Sequence, residues 1–246
     1  MYGLNKMLKF YKTIKKWIKA HRRRIGKSIF FETLCKKKGV EARCREIEIL
    51  ALGSSHCANG FDATLIPNAF NLGNPDQDLY TTCYLFHRYL PELTNLKHLI
   101  VFYSVFSPGH ELAKTTHVKQ VALNHYVFGT PYDVEYLPKW EKAIRHRYQK
   151  FDDSHIDYQT FSGFFPCNTA NQMTTEERVS KHLRENQRGT NQTKLLLEIA
   201  RTCQDKGIQM TVVIPPFRSD YNYYLKQSGL DLFQELYQAV TPPRLI

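Results

Sequence analysis

The sequence has no long hydrophobic run, because charged residues interrupt every window of about twenty residues, the length that a transmembrane helix requires. We therefore expect no such helix. Glycine and proline are scarce, with 12 and 11 in 246 residues, which excludes a collagen-like or low-complexity chain. Hydrophobic residues make up 42% of the chain. This is enough for one sizeable core, so we interpret the chain as one folded domain with an appendage.

The chain also lacks the cysteine patterns that are typical of disulfide frameworks and of metal sites. Its six cysteines include no Cys-x-x-Cys pair, and no histidine stands at the spacing of a zinc site. No apolar segment of a secretory signal is present either, because lysine recurs every three or four residues near the N-terminus. We therefore predict reduced thiols, no metal site and a cytoplasmic location.

Positive charge is concentrated at one end of the chain. The net charge is +11, but residues 1–45 contain 15 Lys and Arg against two acidic residues, a balance of +13, which leaves −2 for residues 46–246. We predict a basic N-terminal arm over 1–45 and an α/β domain over 46–246. The body of the domain is nearly neutral and contains no base-reading module, which argues against nucleic acid as a partner.

The arm begins with a predicted amphipathic helix. Apolar residues from Leu4 to Ile18 recur at spacings of three and four, and lysines lie between them. One interpretation is a peripheral contact of residues 1–28 with anionic lipid on the inner face of the membrane. The other is a helix that packs on its own domain.

From residue 46 onward, short β-rich runs alternate with longer helical stretches, which is typical of an α/β sheet with crossover helices. We predict strands over 46–52, 69–72, 99–106 and 209–214, and helices over about 77–90, 134–149, 174–188, 190–206 and 230–239. Residues 107–133 and 150–173 are predicted to be irregular insertions.

The first predicted strand ends in the motif Gly53-Ser54-Ser55-His56. Open α/β sheets bind their ligands at the carboxyl ends of the strands, so Ser55 stands where a nucleophile belongs. The alternative is a simple turn with a serine at the start of a helix.

A second turn follows in Asn71-Leu72-Gly73-Asn74. If the two strands are neighbours, the Gly73 N–H and the Asn74 side-chain amide approach the N–H of Ser55. Three donors of this kind form an oxyanion hole.

These two motifs, with the later Val213-Ile214-Pro215-Pro216 segment, resemble the SGNH (GDSL-like) hydrolase superfamily over about residues 46–225. The resemblance is to bacterial branches associated with surface-polysaccharide and teichoic-acid decoration. It implies a flavodoxin-like three-layer α/β/α fold with a short, mostly parallel sheet. It also implies that Ser55 is the nucleophile, that Ser55 and Gly73 donate to the oxyanion, and that acyl esters of a carbohydrate are hydrolysed or transferred without a metal or an organic cofactor.

The chain departs from the superfamily pattern at two points. The third strand is not followed by the usual Asn, and no Asp-x-x-His segment follows the last predicted strand. We therefore expect the last strand and its catalytic loop to be missing and Ser55 to have no imidazole within hydrogen-bond reach. Among the other histidines, His56 adjoins the nucleophile and His110 follows the third strand at the correct edge, so His110 is the candidate base. The alternative function is a catalytically inactive glycan-binding or scaffold protein.

The motif also approaches the Gly-x-Ser-x-Gly elbow of α/β-hydrolases. That fold has several strands before the elbow, whereas here only one strand fits before Ser55. We therefore favour the SGNH-like arrangement.

Overall fold

The computed structural model describes residues 29–166, 173–187 and 189–231. The amphipathic helix predicted within residues 1–28, and all but the first two residues of the helix predicted over 230–239, lie outside this range. None of the described helices combines the length and the apolar character needed to cross a bilayer.

Four strands form one parallel sheet, which confirms the predicted α/β class. The spatial order is β2-β1-β3-β4, the order in which a flavodoxin-like sheet arranges its first four strands. Leu50 of β1 pairs with Phe70 of β2 on one side and with Leu99 of β3 on the other. The strands are β1 (Ile49–Leu52), β2 (Ala69–Asn71), β3 (His98–Phe102) and β4 (Gln209–Val213).

Eight α-helices accompany the sheet in the described residues, and four of them correspond to predicted helices: α3, α5, α6 and α7. They are α1 (residues 29–43), α2 (Ser55–Gly60), α3 (Leu79–Tyr89), α4 (Val118–Leu123), α5 (Leu137–Gln149), α6 (Thr175–Asn186), α7 (Thr193–Asp205) and α8 (Ser219–Gln227).

The chain order of the strands explains the layers. The chain passes from β1 to β2 in one direction and from β2 back across β1 to β3 in the other. Right-handed connections therefore place α2 and α3 on opposite faces of the sheet. Helix α7 packs against α3. The result is a three-layer α/β/α arrangement whose core joins both faces of the sheet.

Helix α1 belongs to this core. Its side chains Phe30, Leu34 and Val40 are buried in the main hydrophobic cluster, and Lys36 is buried beside them. Residues 29–43, which the count of charges places in the basic N-terminal arm, therefore pack in the core with the sheet.

The prediction of an irregular segment over 107–133 is wrong in its second half. Residues 118–123 form α4, and a π-helical turn continues it through Phe128. The cause is a second, smaller core in which Val121 and Ala122 of α4 contact Leu112 and Leu137. Short helices of this kind are stabilised by tertiary packing more than by intrinsic propensity.

The second predicted insertion contains neither helix nor strand over residues 150–166, as expected. It covers the outer edge of β2, where the Asn71 N–H donates to the carbonyl oxygen of Ser162 at 2.8 Å. Phe161 packs edge-on against Phe70 of the same strand, with ring centroids 6.1 Å apart.

Candidate active site

Ser55 lies at the carboxyl end of β1, as the first residue of α2. The turn before it requires glycine, because Gly53 has φ = 143° and a Cβ there would lie 2.8 Å from the Cβ of Phe102. Ser54 precedes the helix, and its carbonyl accepts hydrogen bonds from Cys57 and Ala58, while its side chain caps nothing. The helix start is thus fixed by the backbone, and neither serine hydroxyl is needed for it.

The Ser55 side chain is half-buried, and within the described part of the chain its hydroxyl makes no hydrogen bond. It therefore has no hydrogen bond to a described histidine either. Because nothing fixes the hydroxyl, rotation about χ1 is not opposed by a lost hydrogen bond.

The adjacent β2–α3 turn has its donors occupied. The Gly73 N–H donates to Asn71 Oδ1 at 3.0 Å. The buried Asn74 amide donates to the Leu72 carbonyl at 3.1 Å and to Gln77 Oε1 at 3.2 Å. The two turns are neighbours, as expected, but in this conformation neither Gly73 nor Asn74 offers a free donor to an oxyanion.

Two buried polar side chains hold this turn in place. Asn71 Nδ2 donates to the carbonyls of Cys57 at 2.9 Å and Phe61 at 2.7 Å, which ties β2 to α2. Lys36 of α1 donates to the carbonyl of Gly73. Burial lowers the pKa of Lys36 to about 8. The turn also passes close to α2, since a Cβ on Gly73 would lie 2.7 Å from Cys57 Sγ.

Three histidines from separate elements surround the buried ring of Phe106, in the segment that follows β3. The ring centroids of His182, His110 and His56 lie 5.1, 5.4 and 6.0 Å from that of Phe106. His56 and His182 are 6.2 Å apart, ring to ring. Because His56 directly follows Ser55, this histidine cluster borders the predicted nucleophile.

His182 of α6 is oriented by α8. Its Nδ1 lies 2.7 Å from the hydroxyl of Tyr221, which fixes the imidazole plane. Burial, followed by the nearby His56, Lys181 and Arg178, lowers the pKa of His182 to about 3. Burial, followed by Arg178, also lowers the pKa of His56. Both rings are therefore neutral at pH 7.

His110 is fully buried, and its Nε2 lies 3.2 Å from the carbonyl oxygen of Asp76. A carbonyl oxygen only accepts, so Nε2 carries the proton, and in the neutral ring Nδ1 is an acceptor.

The carboxylate of Asp76 pairs with His117 Nδ1 at 2.8 Å. Although burial opposes the shift, the hydrogen bond and charge of His117 lower the pKa of Asp76. The same hydrogen bond raises the pKa of His117.

Several buried polar atoms near the carboxyl ends of the strands have no hydrogen-bond partner among the described residues. They are Nδ1 of His56, Nδ1 of His110 and Oγ of Ser104. Ser104 follows β3. Buried polar groups are almost always paired in native proteins, so a group of unpaired ones marks a place where a ligand or water binds.

The sequence predicts the position of Ser55 and His110 at the carboxyl ends of the strands, whereas the contacts of His182, Tyr221 and Phe106 are evident only from the structure. No local pattern could have found them, because α6 and α8 are far along the chain from β1. Three side chains with metal-binding character lie elsewhere, between α3 and α7.

Comparison of this chain with protein-family models, with curated proteins and with solved structures gives no match.

Proposed function

We propose that this protein is a serine esterase or O-acyltransferase of SGNH type, acting on acyl esters of a carbohydrate or cell-surface polymer, with Ser55 as nucleophile. The observation that carries the proposal is the histidine cluster beside Ser55. The three imidazoles of the cluster surround Phe106, one of them belongs to His56, the residue after Ser55, and buried polar atoms of two of them are unpaired. Buried groups with shifted pKa values are concentrated at functional sites.

In the proposed reaction, Ser55 Oγ attacks the acyl carbonyl carbon and a histidine takes the hydroxyl proton. The tetrahedral intermediate then releases the sugar alkoxide, which takes the proton back, and the acyl group stays on Ser55. Water completes hydrolysis, or a second alcohol completes transfer. The backbone N–H of Ser55, which makes no hydrogen bond to a described carbonyl, is the donor that remains for the oxyanion.

We assign the base to His182, with Tyr221 as the residue that orients it. His110, the base expected from the sequence, is the alternative, but its Nε2 is held by the Asp76 carbonyl. Hydrogen bonds between nucleophile and base are often long in a ligand-free site. The assignment requires the unbonded Ser55 hydroxyl and His182 to come within hydrogen-bond distance in the substrate complex.

The direct test is labelling with a fluorophosphonate, which reacts with activated serines. We expect labelling of the native chain to be lost in Ser55→Ala and kept in Ser54→Ala, the matched control one residue earlier. Equal labelling of the native chain and Ser55→Ala would remove Ser55 from the mechanism. His182→Gln should reduce labelling strongly, whereas His98→Gln, at the opposite end of β3, should not.

The pH profile of kcat/KM for an acetyl ester tests the assignment of the base to His182. Because the pKa of His182 is about 3, the rate due to Ser55 should be nearly the same at pH 5 as at pH 7. A base with an ordinary imidazole pKa near 6.5 would instead give a loss of about tenfold or more over that range.

A second candidate function is a glycan-binding or scaffold protein that has lost the chemistry. The observations that favour it are the absence of a hydrogen bond from Ser55 to any described histidine and the occupied donors of Gly73 and Asn74. Glycan binding that survives Ser55→Ala, together with no turnover that depends on Ser55, would support this function over the enzyme.

A further inference from the structure

Helices α3 and α7 pack together and bring three potential metal ligands to one place. Cys83 and His87 are four residues apart on α3, so they project from the same face of the helix. Glu198 of α7 completes the group. Cys83 is buried and Glu198 is exposed, so the group opens to solvent on one side.

The spacing of the three donor atoms fits one small cation. Cys83 Sγ lies 3.6 Å and His87 Nε2 lies 3.1 Å from the same oxygen, Glu198 Oε1. All three donor atoms lie within 4.8 Å of one another. Tetrahedral zinc with ordinary bond lengths separates sulfur from oxygen by about 3.6 Å and nitrogen from oxygen by about 3.4 Å. The two separations that involve Glu198 are therefore close to those around a shared zinc ion, and the third, between Cys83 Sγ and His87 Nε2, is at most 4.8 Å.

His87 contributes a nitrogen that is not engaged in a hydrogen bond within the described residues. Its Nε2 is buried, and although Glu198 Oε1 is 3.1 Å away, the geometry does not make a hydrogen bond, so the nitrogen has no such partner among the described residues. A cation bound between the three donors would accept the lone pair of His87 Nε2.

We propose that Cys83, His87 and Glu198 form a zinc site that clamps α3 to α7, with water as the fourth ligand. A thiolate with an imidazole selects zinc over magnesium or calcium, which prefer oxygen ligands alone. On binding, the Cys83 thiol releases its proton to solvent, and a zinc–sulfur bond takes the place of the S–H bond. The site is distinct from the histidine cluster and does not depend on the proposed esterase function.

Cobalt(II) substitution tests the site on the full chain, after metal is removed with a chelator. We expect one equivalent of Co²⁺ to produce the near-ultraviolet absorption of a cysteinate–cobalt bond and Zn²⁺ to displace it. Cys83→Ser should abolish this absorption. Cys203→Ser, which removes another buried cysteine from α7, should retain it.

His87→Gln provides a second arm that does not disturb a buried side chain, because the His87 side chain is 36% exposed. We expect His87→Gln and Glu198→Gln each to weaken Zn²⁺ binding by at least about tenfold. At the same Zn²⁺ concentration, zinc should raise the melting temperature of the native chain more than that of His87→Gln. Absorption that persists in Cys83→Ser, or Zn²⁺ affinity unchanged in His87→Gln, would overturn the proposal.

Discussion

The turns after β1 and β2 are neighbours at one edge of the sheet, yet they differ in how their polar groups are used. In the β1–α2 turn, the Ser55 hydroxyl is half-buried and makes no hydrogen bond to a described residue. In the β2–α3 turn, the polar groups of Gly73 and Asn74 are bonded within the fold, and Lys36 and Asn71 supply much of that bonding.

This difference distinguishes a group that is free to react from groups that stabilise the backbone. A group that reacts must be free to form new bonds, whereas a group that positions the backbone contributes most when its hydrogen bonds are complete. We therefore expect substitutions in the β2–α3 turn to act on the free energy of unfolding and substitutions at Ser55 to act on reactivity.

The largest effect on stability is expected for Asn71→Ala. The Asn71 side chain is fully buried, accepts from the Gly73 N–H and donates to the carbonyls of Cys57 and Phe61. Its removal leaves buried backbone groups unpaired, so the free energy of unfolding should fall by about 3–5 kcal/mol, as measured by urea denaturation. Asn95→Ala is the control, because its exposed amide bonds a single carbonyl. An equal loss in both variants would show that Asn71 is not the support of the turn.

A smaller, pH-dependent effect is expected for Lys36→Met. Burial lowers the pKa of Lys36 from its ordinary value of 10.5 to about 8 in the folded chain, so between these two pH values the unfolded chain binds more protons than the folded chain. The native chain should therefore gain stability relative to the variant as pH rises through this window, by at most about 1.4 kcal/mol per pH unit. Below pH 8 the difference should be constant.

Urea denaturation of both proteins at several pH values measures this slope. Groups that do not interact with Lys36 are common to the two proteins and cancel in the difference. Cys57 does interact with Lys36, but burial raises the pKa of its thiol to about 12, above the window, so the thiol stays protonated in the folded state. Lys37→Met removes the neighbouring lysine, which pairs with Glu41 and is partly exposed, and so controls for the loss of one positive charge. The same slope in Lys37→Met would show that burial of Lys36 is not its cause.

The fold could be predicted largely because its signals are local. Each predicted strand is a short β-rich run, and all four are present, with β1 ending at the Gly53 turn. Helix α4 was missed because only its buried positions, such as Val121 and Ala122, show a helical pattern, and their partners come from other segments. Lys36 was assigned to a basic arm because charge counting cannot distinguish a buried lysine from a solvated one.

The site could be predicted only in part, for a related reason. The position of Ser55 follows from the end of a strand, which is a local feature. The orientation of the Gly73 N–H depends on the Asn71 side chain, and the approach of His182 depends on the packing of α6 around Phe106. These are tertiary contacts that no single segment encodes.

The smallest stability effect is expected for Ser55→Ala. Its hydroxyl has no hydrogen bond to lose among the described residues, and alanine favours a helix slightly more than serine does. The free energy of unfolding should stay within about 0.5 kcal/mol of the native value. The matched comparison is Thr81→Val in the first turn of α3, where a buried hydroxyl donates to Asp78 at 2.6 Å and also contacts the Tyr132 hydroxyl. That variant should lose about 1–3 kcal/mol because Asp78 and Tyr132 lose a buried partner. If Ser55→Ala were destabilised as much as Thr81→Val, Ser55 would be a structural residue, and the division between the two turns would fail.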